Sequence, residues 1–226
     1  MRVNFIFILF ILFIVSDNIY CQKISNIDFD DIRNKTTDST SEFYYPKILK
    51  KFIDNDTSIT KEELKYVYFG NVFTNEYNPM GDVKGEQDLL NYYKKKDFEN
   101  AVLTGEKLLE KDPTNLEYYY HLALVYNKLK DSIHMKNCLF KFVFLIETIY
   151  HSGDGLSLNT PYVVTRVSDE YQILDDKNLE LKSQALIGDC DLLEFKQPNE
   201  KNIDRLYFNV KLSLDYLRNM IKNNDK

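Results

Sequence analysis

Tyr92-Tyr93-Lys94-Lys95-Lys96-Asp97 returns as Tyr126-Asn127-Lys128-Leu129-Lys130-Asp131, 34 residues further on. A fixed period of this length marks stacked helical hairpins, because one hairpin cannot bury its apolar face alone and the next copy covers it. Around the two copies the apolar and small residues keep helical spacing: Ala101, Val102, Gly105, Leu108 and Leu109 in one, and Tyr119, Leu122, Ala123 and Tyr126 in the other. Asp112-Pro113 stops the first copy, and Thr114 with Glu117 reads as a capping box opening the second.

Taken position by position, residues 83–150 resemble the tetratricopeptide repeat. Tyr92, Phe98, Ala101 and Pro113 occupy its central aromatic, second-helix aromatic, small and closing positions, and Tyr119, Leu122, Ala123 and Tyr126 match its first helix. Asp88 and Leu89 depart from it, as does Met135, and Lys96 stands where a turn glycine is usual. Two units fall short of the three that an array needs to stand alone, so neighbouring segments must complete the packing. The run Leu139 to Ile146 is apolar enough to demand burial on nearly every side.

Outside the repeat, Phe43-Tyr44-Tyr45-Pro46 precedes the helical stripe Ile48, Leu49, Phe52 and Ile53, a proline-led helix start. Asp54 to Lys65 has the acidic alternation of a calcium loop but puts Ile59 where the turn glycine belongs and Lys65 where the bidentate glutamate belongs. Its plainer reading is a turn followed by a helix from Thr60 to Phe73, with Thr60 and Glu63 as capping box. Asn78-Pro79-Met80-Gly81 ends that segment. Beyond His151 the texture changes to β-branched and aromatic runs at Tyr162 to Val167, Leu179 to Ile187 and Leu206 to Val210, followed by a closing helix through Leu212, Leu214, Leu217, Met220 and Ile221. The expected class is therefore α+β: antiparallel helix hairpins first, then a small antiparallel sheet that covers helix 133–150.

A net charge of −6 with lysines interspersed among acids argues against nucleic acid, which demands clustered cations. At the N-terminus Arg2 precedes Phe5 to Val15, apolar at every position, and then Ser16-Asp17-Asn18. Eleven apolar residues are fewer than the roughly 20 that cross a bilayer, and the pattern reads as a secretory signal peptide over residues 1–21. No transmembrane span remains after its cleavage. A lipid on Cys21 is the rival reading. Polar residues 22–41 read as a tether, and 42–226 as one domain, helical over 42–153 and strand-rich over 154–226. Cys138 and Cys190 leave two readings, a disulfide or two buried thiols.

Candidate chemistry is sparse. His134 and Cys138 share a helical face at i, i+4, yet a nucleophile–base pair needs a third orienting group and a metal needs more ligands. His151-Ser152-Gly153-Asp154-Gly155 holds triad residue types in consecutive positions, where they cannot converge. No catalytic residue, metal site or cofactor is expected.

Several stretches resemble the uncharacterised exported bacterial proteins of domain-of-unknown-function family 4919: Ser41 to Pro46, Asn55 to Thr60, Tyr66 to Gly70, Tyr77-Asn78-Pro79, Ser152 to Gly155, Asp169-Glu170-Tyr171, Gln184-Ala185-Leu186, Cys190-Asp191 and Leu206 to Val210. The resemblance implies export from a bacterial cell and a single domain uniting helices and strands. It brings no activity or site residue.

The expectation is an exported, periplasmic or secreted, non-enzymatic scaffold for a protein or peptide. Its groove would be lined by Leu90, Tyr93, Lys94, Tyr120, Leu124, Asn127 and Lys128. Core packing by Tyr93 and Tyr120 is the competing reading. The second expectation is an envelope small-ligand binder or hydrolase using Ser152, Gly153, Asp154 and Gly155 with the nearby acids Asp169 and Glu170.

Overall fold

The computed structural model describes residues 27–224. The apolar run Phe5–Val15, the cleavage site and Cys21 lie outside the described residues. Helix α1 (Phe29–Thr37) starts at Asp28, whose carboxylate accepts from the amides of Asp30 and Asp31. It falls in the stretch read as a tether, and its Ile32 is buried against α3. Helix α2 (Tyr45–Ile53) carries Pro46 in its first turn. Helix α3 (Lys61–Gly70) begins with the capping box read from sequence: the Glu63 amide donates to Thr60 Oγ1 at 3.1 Å and the Thr60 amide to Glu63 Oε2 at 2.8 Å. Leu64, Tyr66, Val67, Tyr68 and Phe69 are all buried, which makes α3 the helix around which the core is built.

Four helices follow, each packed on the next: α4 (Val83–Lys94), α5 (Phe98–Lys111), α6 (Leu116–Lys128) and α7 (Ser132–Tyr150). The 34-residue echo has a physical meaning in the turns. Lys96 and Lys130 both adopt left-handed backbone, with φ of 61° and 60°. The Asp97 amide then reaches back to Tyr92 O, and the Asp131 amide to Tyr126 O, each at 2.9 Å. These are the long hydrogen bonds of a Schellman turn. Asp97 and Asp131 next cap α5 and α7, accepting from the amides of Asn100 and His134. The repeated lysine and aspartate thus encode one helix end and the following helix start. Between α5 and α6 the approach is close: a β-carbon on Gly105 would lie 2.6 Å from Leu122 Cδ2. Helix α6 is capped by Asn115, whose side chain accepts from the Tyr118 amide, and not by Thr114, whose hydroxyl is buried without a partner.

The second half contains β1 (Tyr162–Val163), α8 (Ser168–Lys177), β2 (Leu181–Ile187), β3 (Cys190–Phe195), β4 (Arg205–Asn209) and α9 (Lys211–Asn224). The α+β class with helices first is as expected. The sheet is mixed, in the order β1-β4-β3-β2, because β1 pairs parallel with β4 while the other pairs are antiparallel. The run expected as a strand to Val167 leaves the sheet after Val163 and turns into α8. Strand β3 lies outside the three runs with strand-like sequence; Gly188, at φ 64°, makes the tight turn that pairs Ile187 with Cys190. Leu193, Phe195, Leu206, Phe208 and Val210 face inward with Ile173 and Leu174 of α8.

Two burial expectations need correction. Leu145, Ile146 and Ile149 are buried on α7, but Leu139, Phe140 and Val143 are 40%, 40% and 51% exposed. The sheet reaches α7 only at its last turn, where the Tyr150 and Tyr162 rings lie 5.5 Å apart. Helix α9 closes the domain through Ser213 and Leu214, whereas Met220 and Ile221 are exposed. Cys138 and Cys190 are free thiols.

Left-handed backbone costs a β-carbon-bearing residue roughly 1–2 kcal/mol, a cost that glycine escapes at some loss of unfolded-state entropy. Lys96→Gly and Lys130→Gly should each raise stability by about 0.5–1 kcal/mol in urea unfolding. Lys96→Val should lower it.

Candidate functional site: a buried ion pair beneath a forked cleft

Arg166 is 1% exposed, an extreme position for a guanidinium. It follows the apolar Val163-Val164 run and precedes α8, so it is drawn inside with them. Asp112, the residue after α5, meets it in a two-pronged pair: Nη2 donates to Oδ1 at 2.9 Å and Nη1 to Oδ2. Asp112 also accepts from Asn115 Nδ2 at 3.2 Å and lies 3.4 Å from Asn71 Nδ2, and Asn71 in turn accepts from Tyr45 Oη at 3.0 Å. On the other side of the pair, Asp169 Oδ2 lies 3.8 Å from Arg166 Nε and accepts from Tyr68 Oη at 2.5 Å. The Thr165 amide donates to the Tyr68 oxygen at 3.1 Å, and Thr165 O accepts from Tyr77 Oη at 2.5 Å and from Ser213 Oγ at 3.3 Å. One polar network therefore ties α2, α3, α5 and the start of α6 to α8 and α9.

A forked cleft opens above this centre. One branch, of 350 Å³, is lined by Gly81, Glu86, Asn115, Glu117, Arg166 and Ser168 among others. The other, of 380 Å³, includes Glu76, Asp82, Leu108, Lys111, Asp112 and Tyr118. Gly81 belongs to both branches, so the turn 78–81 forms the bridge between them. That glycine has φ 68°, and a β-carbon there would stand 2.3 Å from Glu86 Oε1. Tyr118 Oη receives the Asp82 amide at 3.2 Å and donates to Glu86 Oε1 at 2.7 Å, which fixes the first turn of α4 against α6. Burial raises the Glu86 carboxyl, only partly offset by that hydroxyl. Lys111 is held by Asp82 at 3.1 Å.

Domain of unknown function (DUF4919) matches residues 30–218. The chain belongs to that family. The match takes in every residue of the ion-pair network and both branches of the cleft, so the site lies within the DUF4919 domain. No curated protein and no solved structure matches the chain.

The residues picked out from the DUF4919 sequence lie elsewhere. Tyr93 is half-buried, its ring 5.9 Å from Phe98, and Leu90 and Leu124 are half-buried. Tyr120 is exposed at 40% and lies 5.9 Å from Phe142 of α7; Lys94, Asn127 and Lys128 are exposed. None of the seven lines either branch of the cleft. At the glycine turn, Ser152 Oγ donates to Ile149 O and accepts from the Val163 amide, while the Asp154 and Gly155 amides both donate to Thr160 O. Those polar groups join α7 to β1. His134 bonds to Asp131 at 2.7 Å, and burial pushes the Cys138 thiol up to about 11. Among the described residues no group of three or more His, Cys, Asp or Glu is arranged for a metal.

Glu170, the neighbour of Asp169, is fully buried, and its carboxyl lies beside that of Asp191. Burial, reinforced by the charge of nearby Asp191, pushes its carboxyl up to about 9. Burial likewise pushes Asp169 up to about 7 against the opposing pull of Arg166 and Tyr68. Both carboxyls keep a proton to higher pH in the folded chain than in the unfolded one, so this contribution to stability is present at low pH and fades as pH rises through these values. Urea midpoints of the wild type should fall between pH 5 and pH 9, and Glu170→Gln should flatten the decline. Arg166→Met leaves Asp112 and Asp169 unpaired and should cost about 3–5 kcal/mol; adding Asp112→Asn should recover part of it.

Proposed function

We propose that the protein is an exported, non-enzymatic interaction protein, periplasmic or secreted, whose forked cleft grips a basic segment of a partner protein or peptide. The observation that carries this reading is the charge left facing the cleft. Arg166 is matched by Asp112, and Lys111 by Asp82, so Glu76 and Glu117, neither of them paired with a lysine or arginine among the described residues, set the sign of the mouth. His121 lies behind Glu117 at 3.3 Å and orients it. A cationic side chain entering there meets carboxylates already positioned on the first turns of helices and on a rigid loop. The tetratricopeptide-like succession α4 to α7 supports the same reading, since such stacks present surface to extended segments.

Fluorescence anisotropy with labelled peptides of matched length, one lysine- and arginine-bearing, one acidic and one neutral, tests this. The basic peptide should bind, more weakly at high salt, and the double variant Glu76→Lys/Glu117→Lys should reduce its affinity at least tenfold while Tyr93→Ala/Tyr120→Ala leaves it unchanged. Equal binding of all three peptides sinks the assignment. Loss confined to the tyrosine variant moves the surface to the outer face of α4 and α6.

A further inference from the structure

The 350 Å³ branch of the cleft holds two carboxylates carried by different helices, Glu86 in the first turn of α4 and Glu117 in the first turn of α6. Each has one oxygen occupied: Glu86 Oε1 accepts from Tyr118 Oη at 2.7 Å, and Glu117 Oε1 lies 3.3 Å from His121 Nε2. Among the described residues no donor meets Oε2 of either, and no lysine or arginine pairs with either. Burial raises the Glu86 carboxyl, and the charges of Glu117 and Asp82 raise it further against the Tyr118 hydroxyl and Arg166. A cation between the two acids relieves that repulsion. The remaining wall is largely apolar: Pro79 and Met80 from the turn before α4, Val167 from the entry to α8 and Leu217 from α9. Met80, Val167 and Leu217 are 55%, 37% and 37% exposed, so hydrocarbon lies in water beside a pair of acids. An aliphatic stem that ends in a cation complements both features, covering the one and pairing with the other.

The shape of the cation follows from the occupied oxygens. A guanidinium pairs best two-pronged, with both oxygens of one carboxylate, as Arg166 does with Asp112. Neither Glu86 nor Glu117 has two oxygens to give. An ammonium, with three donors diverging from one nitrogen, can take one oxygen from each. We infer that this branch is a lysine pocket: the side chain of one lysine of the bound segment lies along Met80, Val167 and Leu217 and sets its ammonium between Glu86 Oε2 and Glu117 Oε2. A lysine pocket here presupposes the basic-segment reading and adds to it one residue type and one branch.

Fluorescence anisotropy with two labelled peptides of equal length and charge, one with lysine and the other with arginine as its only basic residue type, measures the selection. The full chain should bind the lysine peptide about tenfold more tightly than the arginine peptide. Glu86→Gln keeps an oxygen for Tyr118, and it should lower the affinity for the lysine peptide about tenfold while leaving the arginine peptide unchanged. Leu217→Ser, which alters no charge, should lower the affinity for the lysine peptide about threefold. Equal binding of the two peptides by the wild type overturns the lysine pocket and leaves the basic-segment reading standing, the cation then belonging to the branch of Glu76. Binding of neither peptide overturns both. Should Glu86→Gln unfold, Leu217→Ser and the ratio of the two wild-type affinities decide the matter.

Discussion

The Arg166–Asp112 pair is the constraint on which the rest of the architecture depends. Removing two charges from water is costly, and their attraction offsets that cost only when geometry is good and the remaining donors and acceptors are satisfied. Here Asp112 gains Asn115 and approaches Asn71, while Arg166 Nε makes no hydrogen bond and faces Asp169 only as a charge at 3.8 Å. The pair spans 54 residues of sequence and joins the end of α5 to the start of α8. A hydrophobic contact between those elements would tolerate sliding; a two-pronged ion pair to a buried arginine admits one relative placement. It thereby ties the helical part to the strand-rich part directly below the cleft, whose lining comes from α4, α5, α6, α8 and α9 and the turn before α4.

The local rules of helix starting and stopping were legible in the sequence; long-range pairing was not. Thr60 and Glu63 announced their capping box, Pro46 its helix start, and the repeated Lys-Asp step proved to be a left-handed residue followed by an N-cap in both copies. Each is a matter of a few neighbouring residues, where the chemistry of short polar side chains decides the backbone. The cap of α6 was misplaced by one residue because Thr114 and Asn115 are both competent, and only packing chooses between them. The family resemblance covered the domain and agreed with the match over residues 30–218.

The candidate site was nearly invisible for a different reason. Asp112 read as a helix stop before Pro113, Arg166 as one residue of a strand, and Tyr68 as one position of an apolar stripe. A lone arginine in Tyr162-Val163-Val164-Thr165-Arg166-Val167 was the one available signal, since a charge within an apolar run is either a surface flaw or a buried half of a pair. Sequence spacing carries no information about which acid answers it. The same limit applies to Asp169 and Glu170, adjacent acids that α8 carries inward because Ile173 and Leu174 one turn later must face the core.

Adjacent buried acids divide the work of the centre by environment. Asp169 lies within reach of Arg166 and receives the Tyr68 hydroxyl, both of which work against the upward push of burial; Glu170 has only the Asp191 carboxylate beside it, which adds to that push. The cation beneath the cleft is consequently balanced chiefly by Asp112, which leaves little positive potential to project outward. Anionic ligands gain little from an arginine whose two terminal nitrogens are both taken by Asp112. The buried network thus cancels its own field, and the sign of the cleft mouth falls to Glu76 before α4 and Glu117 in the first turn of α6.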